Sequence, residues 1–160
     1  MRIKAIETER YQDYKFPSLF IASCFCNFKC CTELGIDAGV CQNSPLANFP
    51  IKRIPDEMIY ELYISNPITK AVVIGGMEPL MQIDEVEELI KVFRAHGDDS
   101  PFVIYTGYYP EEIGDELSRL RHFTNIFMKF GRFIPDRSHR FDDVLGVELS
   151  SDNQWAERLL

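Results

Sequence analysis

Short apolar runs alternate with amphipathic helical stretches along this chain, and that alternation restricts its architecture more than any other feature. Ser18-Leu-Phe-Ile-Ala-Ser23 follows Pro17, and Ala71-Val-Val-Ile74, Phe102-Val-Ile-Tyr-Thr106 and Asn125-Ile-Phe-Met-Lys129 come after it in order. Such short, mainly apolar runs read as strands buried on both faces, as in a parallel sheet. Helices are predicted between them. Pro55 and the two acids after it open one over residues 55–65, with Met58, Ile59, Leu62 and Tyr63 on one face. Asn66-Pro67 ends it, because the residue before proline is pushed out of the helical region. A second helix runs from Ile83 to His96 on a stripe of Ile83, Val86, Leu89, Ile90 and Phe93, and Gly97 stops it. A third is expected from Glu111 to about Arg121, with Ile113, Leu117 and Leu120 inward.

Strand–helix alternation of this kind predicts an α/β fold, either a partial (β/α) barrel or an open, mostly parallel sheet. A closed barrel of eight such units takes about 250 residues, and this chain has 160. One domain is expected over residues 1–160. Val144–Leu149 is a candidate fifth strand. Residues 1–16 are polar and mixed and carry no predicted element. The segment 131–143, with Arg132, Arg137 and Arg140, reads as a solvated loop.

All five cysteines lie in one segment directly after the first strand: Cys24, Cys26, Cys30, Cys31 and Cys41. Cysteines used as small apolar filler would be scattered, so this loop is predicted to hold a metal or a redox centre. Cys26-x3-Cys30-x10-Cys41 supplies three thiolates from one loop. Three thiolates hold three irons of a [4Fe–4S] cube and leave the fourth open to another ligand. A structural zinc site is the alternative, but zinc loops favour paired C-x2-C knuckles and none is present.

The net charge of −8 and pI near 4.9 disfavour a nucleic-acid partner, since no basic stripe is there to neutralise phosphates. No apolar run approaches the ~20 residues that cross a bilayer. The N-terminus has charges where a signal peptide needs an apolar run. A cytoplasmic setting is expected, where clustered thiols mean metal or catalysis more often than disulfides.

Ligands of α/β sheets collect at the carboxyl ends of strands. Three distinctive segments fall there: the cysteine loop, Gly75-Gly-Met-Glu-Pro79, and Thr106-Gly-Tyr108. Paired glycines let the backbone approach a ligand closely, and Glu78 could accept from an ammonium group.

These segments resemble the radical S-adenosylmethionine (SAM) enzymes, and within them the small activating proteins of anaerobic ribonucleotide reductase. Cys26-Asn-Phe-Lys-Cys30 is similar to the first half of that family's cluster loop, and Cys41-Gln-Asn43 to its last cysteine and the asparagine after it. Gly75-Gly-Met-Glu-Pro79 resembles the segment that binds the amino group of SAM. Tyr105-Thr-Gly-Tyr108, Gly131-Arg-Phe-Ile134 and Ser150-Ser-Asp-Asn-Gln154 are similar to further family segments, so that the likeness covers roughly residues 18 to 155. The family's usual spacing is three and then two residues between cysteines, which would put the third at position 33, where Glu33 stands. Either eight residues are inserted before the last ligand, or the cluster is ligated differently, with Cys31 or Cys24 as alternates. Gln42-Asn43 after Cys41 favours the insertion.

The resemblance implies a [4Fe–4S] cluster on Cys26, Cys30 and Cys41, and SAM against Gly75, Gly76, Met77, Glu78, Pro79, Thr106 and Asn43. It implies reductive cleavage of SAM to a 5′-deoxyadenosyl radical by an activase-type oxidoreductase. The partner would be an anaerobic ribonucleotide reductase or another glycyl-radical protein, with a low-potential donor such as flavodoxin. Another peptide-modifying radical SAM reaction, or a non-catalytic iron–sulfur or zinc module, are the alternatives.

Overall fold

The computed structural model describes residues 1–159; Leu160 lies outside the described residues. In chain order the elements are β1 (Arg2–Ile3), β2 (Ala5–Arg10), β3 (Ser18–Ser23), α1 (Lys29–Thr32), β4 (Lys52–Arg53), α2 (Asp56–Ser65), β5 (Ala71–Gly76), α3 (Ile83–Ala95), β6 (Phe102–Tyr105), α4 (Gly114–Leu120), β7 (Ile126–Phe130), β8 (Arg140–Asp142), β9 (Val147–Leu149) and β10 (Trp155–Arg158).

A six-stranded sheet in the order β10-β7-β6-β5-β3-β2 organises them, and it is open rather than closed into a barrel. β3, β5, β6 and β7 are mutually parallel, whereas β2 and β10 pair antiparallel at the two edges. The four predicted strands are therefore the parallel core. β2 comes from the N-terminal segment that carries no predicted element, and β10 from the last residues of the chain. β2 alternates weakly, with Ala5 and Ile6 followed by Glu7-Thr-Glu-Arg10, which is ordinary for a strand that has water on one side.

Alternate residues of the parallel strands point to opposite faces. Leu19, Ile21, Val72, Ile74, Ile104 and Met128 meet the helices, where Ile59, Tyr63, Val86, Leu89, Phe93 and Leu117 are buried against them. Phe20, Ala22, Val73, Val103 and Phe127 form the other face, covered by Tyr14, Leu145 and Leu149. Covering both faces is what makes the core strands apolar without alternation.

Three sequence expectations need correction. Met58 is 50% exposed, so α2 buries only Ile59 and Tyr63 fully, one turn apart. The third helix is broken at Ile113 (φ −135°, ψ 39°), giving a 3₁₀ turn over Pro110–Glu112 and then α4. Val144–Leu149 does not join the main sheet; β9 pairs with β8 in a separate hairpin, turned by Gly146 at φ +70°. No described helix is long and apolar enough to cross a membrane.

Candidate metal centre

Parallel strands in register leave a sheet at the same end. Ser23 of β3 lies opposite Gly76 of β5, so the cysteine loop and the Gly75–Pro79 segment emerge side by side. The Glu78 N–H donates to the Phe25 carbonyl (2.7 Å) and ties the two together. Thr106 follows β6 and Gly131 follows β7 at the same edge.

The segments surround a cavity of about 390 Å³, within the range of small-molecule sites. Cys26, Cys30 and Cys41 line it; Cys24 and Cys31 do not. Cys24 is buried, its N–H donates to Gln82 Oε1 (2.7 Å), and the charges acting on its thiol are Lys4, Glu85 and Arg2. Cys31 is buried with its sulfur 3.8 Å from that of Cys30. Among the described residues no three His, Cys, Asp or Glu side chains converge closely enough to hold a single metal ion. A cube spreads its thiolates further apart than one tetrahedral ion does.

The loop is shaped by backbone geometry. Phe28 has φ 52°, a left-handed conformation that costs a bulky residue about 1–2 kcal/mol. That turn starts α1 and brings the Phe28 N–H to 3.3 Å from the Cys26 sulfur. The ten residues between Cys30 and Cys41 form a compact excursion, with Asp37 capping a 3₁₀ turn by accepting from the Gly39 N–H (2.7 Å). Buried Lys4 anchors the segment beyond it, donating to the carbonyls of Ala47 (3.1 Å) and Phe49 (2.6 Å).

A family model described as a 4Fe-4S single cluster domain matches residues 17–154. The chain belongs to that family. No curated protein and no solved structure matches it significantly.

The residues present suit the cluster of a 4Fe-4S single cluster domain. Iron needs thiolates, and cluster proteins steady their sulfurs with N–H donors. Cys41 is drawn down to about 6, chiefly by a hydrogen bond from the Cys30 thiol and also by the N–H groups of Asn43 and Ser44. The same contact pushes the Cys30 thiol up, and burial pushes Cys26 up. Backbone donors thus face two of the three sulfurs.

Beside the cysteines, Glu78 is 5% exposed. Its oxygens accept from the N–H groups of Leu80 (3.1 Å) and Gly107 (2.9 Å), and the Thr106 hydroxyl also donates to it. Burial nevertheless pushes its carboxyl above the ordinary range. A carboxylate offers roughly four acceptor positions, so about one is left for a ligand. Thr106 lines the cavity, but its hydroxyl is engaged by Glu78 and by the Tyr108 N–H (3.0 Å), which makes it an orienter of Glu78. Gly75, Gly76, Met77 and Asn43 line the cavity, whereas Pro79 stands outside it and opens the next 3₁₀ turn.

Sequence reasoning missed two basic residues that line the cavity. Arg10, stacked over Phe20 at 3.9 Å and paired with Asp13 at 2.6 Å, comes from the unassigned N-terminal segment and lines the cavity. Lys129 also lines it, buried, with one ammonium hydrogen bond to the Gly131 carbonyl (3.0 Å); burial draws it down to about 8. A lysine between Met128 and Phe130 in a buried strand was the available signal. Arg132, expected in a solvated loop, is instead 8% exposed and paired with Glu33 and Glu112.

That pairing has a pH signature. Arg132 holds the Glu112 carboxyl at about 2, against an ordinary 4.5. A depressed carboxyl stabilises the fold above its unfolded value, and the stabilisation disappears as pH falls through the folded one. The thermal midpoint of the cluster-free chain is expected to fall from about pH 4.5 towards pH 2, and Glu112→Gln to flatten that slope.

Proposed function

We propose that this 4Fe-4S domain is a radical SAM enzyme, most specifically an activase that generates a glycyl radical on a partner such as an anaerobic ribonucleotide reductase. The observation that carries the reading is the meeting of three thiols from one loop with the Gly75–Glu78 segment in a single cavity. Bound together, cluster and SAM supply one-electron reductive cleavage of the sulfonium to methionine and a 5′-deoxyadenosyl radical, the electron coming from a low-potential donor.

The chain's own part is binding, orientation and charge. Cys26, Cys30 and Cys41 would hold three irons and leave one for the amino acid end of SAM. Glu78, fixed by Leu80, Gly107 and Thr106, keeps an acceptor for the amino group. Gly75 lines the cavity with bare backbone between Phe20 and Tyr105, and a Cβ there would stand 3.4 Å from each. Lys129 turns a buried cation with spare donors towards the same space.

The test is anaerobic reconstitution with iron and sulfide, reduction, and electron paramagnetic resonance with and without SAM, assaying 5′-deoxyadenosine in the same tubes. A reduced [4Fe–4S] signal that shifts on addition of SAM, with cleavage product, is the expected result. An intact cluster that neither senses nor cleaves SAM would reduce the protein to an iron–sulfur binding module. Glu78→Gln on the loaded protein should weaken SAM binding by calorimetry roughly 10- to 100-fold, the range of a hydrogen bond to a charged group. Because burial raises the Glu78 carboxyl, wild-type affinity should begin to fall, on acidification, at a higher pH than an exposed glutamate would give.

A further inference from the structure

Glu33 sits where a third cysteine of the tighter family spacing would stand. It caps the C-terminal end of α1 in helical conformation (φ −63°, ψ −32°), one turn beyond Cys30. Side chains three apart on a helix lie on neighbouring parts of one face. Glu33 itself lines neither cavity, but its partner Arg132 lines a small one with Cys26 and Cys30, and carboxylates are iron ligands in their own right.

Its oxygens are both taken. Arg132 donates through Nε to Glu33 Oε2 (2.5 Å) and through Nη2 to Oε1 (2.9 Å). The remaining donors go to Glu112 Oε2 (2.6 Å), Glu112 Oε1 (2.9 Å) and the Gly107 carbonyl (3.1 Å). All five guanidinium N–H groups are thereby used. The plane lies over the Tyr109 ring at 4.6 Å, which fixes its orientation. Lys29, next to Cys30, joins the network through Glu112 and stands 3.8 Å from Glu33. Arg132 also lines a small cavity of about 30 Å³ together with Cys26, Cys30 and Glu78, so the fork reaches the back of the thiol site. It joins three parts of the chain at one point: the cluster loop, the turn after β6 and the segment after β7.

We propose that Arg132 is a positioning residue whose clamp on Glu33 withholds that carboxylate from the metal centre, so that Cys41 supplies the third ligand. The proposal rests on the cluster reading above and concerns only which side chains reach the iron. Without the guanidinium, Glu33 keeps only Lys29 at 3.8 Å and becomes an oxygen donor one turn from Cys30, competing with a thiol that must come from further along the loop.

The experiment compares wild type, Arg132→Met, Glu33→Gln and the double variant after anaerobic reconstitution, by iron and sulfide content, paramagnetic signature, reduction potential and cluster lifetime on dilution into chelator. Arg132→Met is expected to shorten the lifetime about tenfold, as loss of one charge-assisted bidentate pair would, with a changed signature and a more negative potential. Glu33→Gln alone should keep the wild-type signature, and in the double variant it should restore both signature and potential. A purely structural arginine would leave the double variant as damaged as the single one, and that overturns the proposal, as does an Arg132→Met protein indistinguishable from wild type. Arg132→Lys retains charge but not the fork, and it carries the same comparison if the methionine variant does not fold. A wild-type chain that takes up no cluster would refute the metal-centre reading and the clamp with it, whereas a normal wild type with no rescue refutes the clamp alone.

Discussion

Cys41→Ala is expected to emerge from anaerobic reconstitution without a [4Fe–4S] spectrum, and Cys26→Ala and Cys30→Ala likewise, while Cys24→Ala and Cys31→Ala load normally. The five cysteines are close in sequence, but only three line the cavity. Cys24 follows the last residue of β3, among Arg2, Lys4 and Glu85, and Cys31 is the buried residue of α1. If these three are the ligands, losing one would remove one of three protein bonds to iron, and no other thiol lines the cavity to replace it. Losing either buried sulfur leaves a small void, which costs on the order of 1 kcal/mol of stability and no ligand. Iron and sulfide analysis with the visible spectrum decides the matter. An empty Cys31→Ala protein beside a loaded Cys30→Ala protein would exchange those two residues in the ligand set, and a loaded Cys41→Ala would remove the ten-residue excursion from it.

Gly76→Ala should be the most damaging single substitution outside the cysteines. Gly76 has φ +79°, and a Cβ on it would lie 2.8 Å from the Cβ of Ala22, 3.0 Å from its Cα and 3.1 Å from Leu46 Cδ1. Ala22 is fully buried next to the carboxyl end of β3, locked between β2 and β5. It cannot yield without moving the strand that carries the cluster loop. The left-handed backbone costs about 1–2 kcal/mol, and overpacking adds about 1–3 kcal/mol. Together these approach a large part of the ~5–15 kcal/mol that stabilises a domain. Denaturant unfolding of the cluster-free protein should show a loss of about 2–5 kcal/mol. Gly107→Ala is the control, because its Cβ would meet nothing nearer than Glu78 Oε2 at 3.7 Å. A Gly76→Ala protein within ~1 kcal/mol of wild type would mean that the β3–β5 end is far softer than its packing implies.

Much of the site was legible because it depends on covalent order. An apolar run buried on both faces announces a parallel strand, and in an α/β sheet function follows from what comes directly after such strands. The cysteines after β3, Gly75 to Glu78 after β5 and Thr106 after β6 are read that way without coordinates. Spacing also marked Cys41 as the outlying thiol. It could not separate Cys30 from Cys31, because adjacent residues differ only in the direction of the side chain, which the left-handed turn at Phe28 sets.

What the chain order determined by itself was the parallel core, its helices and the three segments that meet at its carboxyl edge, since hydrophobic periodicity and turn chemistry act over a few neighbours. Only the tertiary structure decided that residues 5–10 and 155–158 close the sheet's two edges, that Arg10 and Lys129 face the cavity, and that Arg132 is buried against Glu33 ninety-nine positions away. Edge strands are half solvated and lose the apolar signature that marks a core strand. A buried charge is tolerated solely by the partners that the fold brings to it, and nothing local to an arginine or a lysine records who they will be.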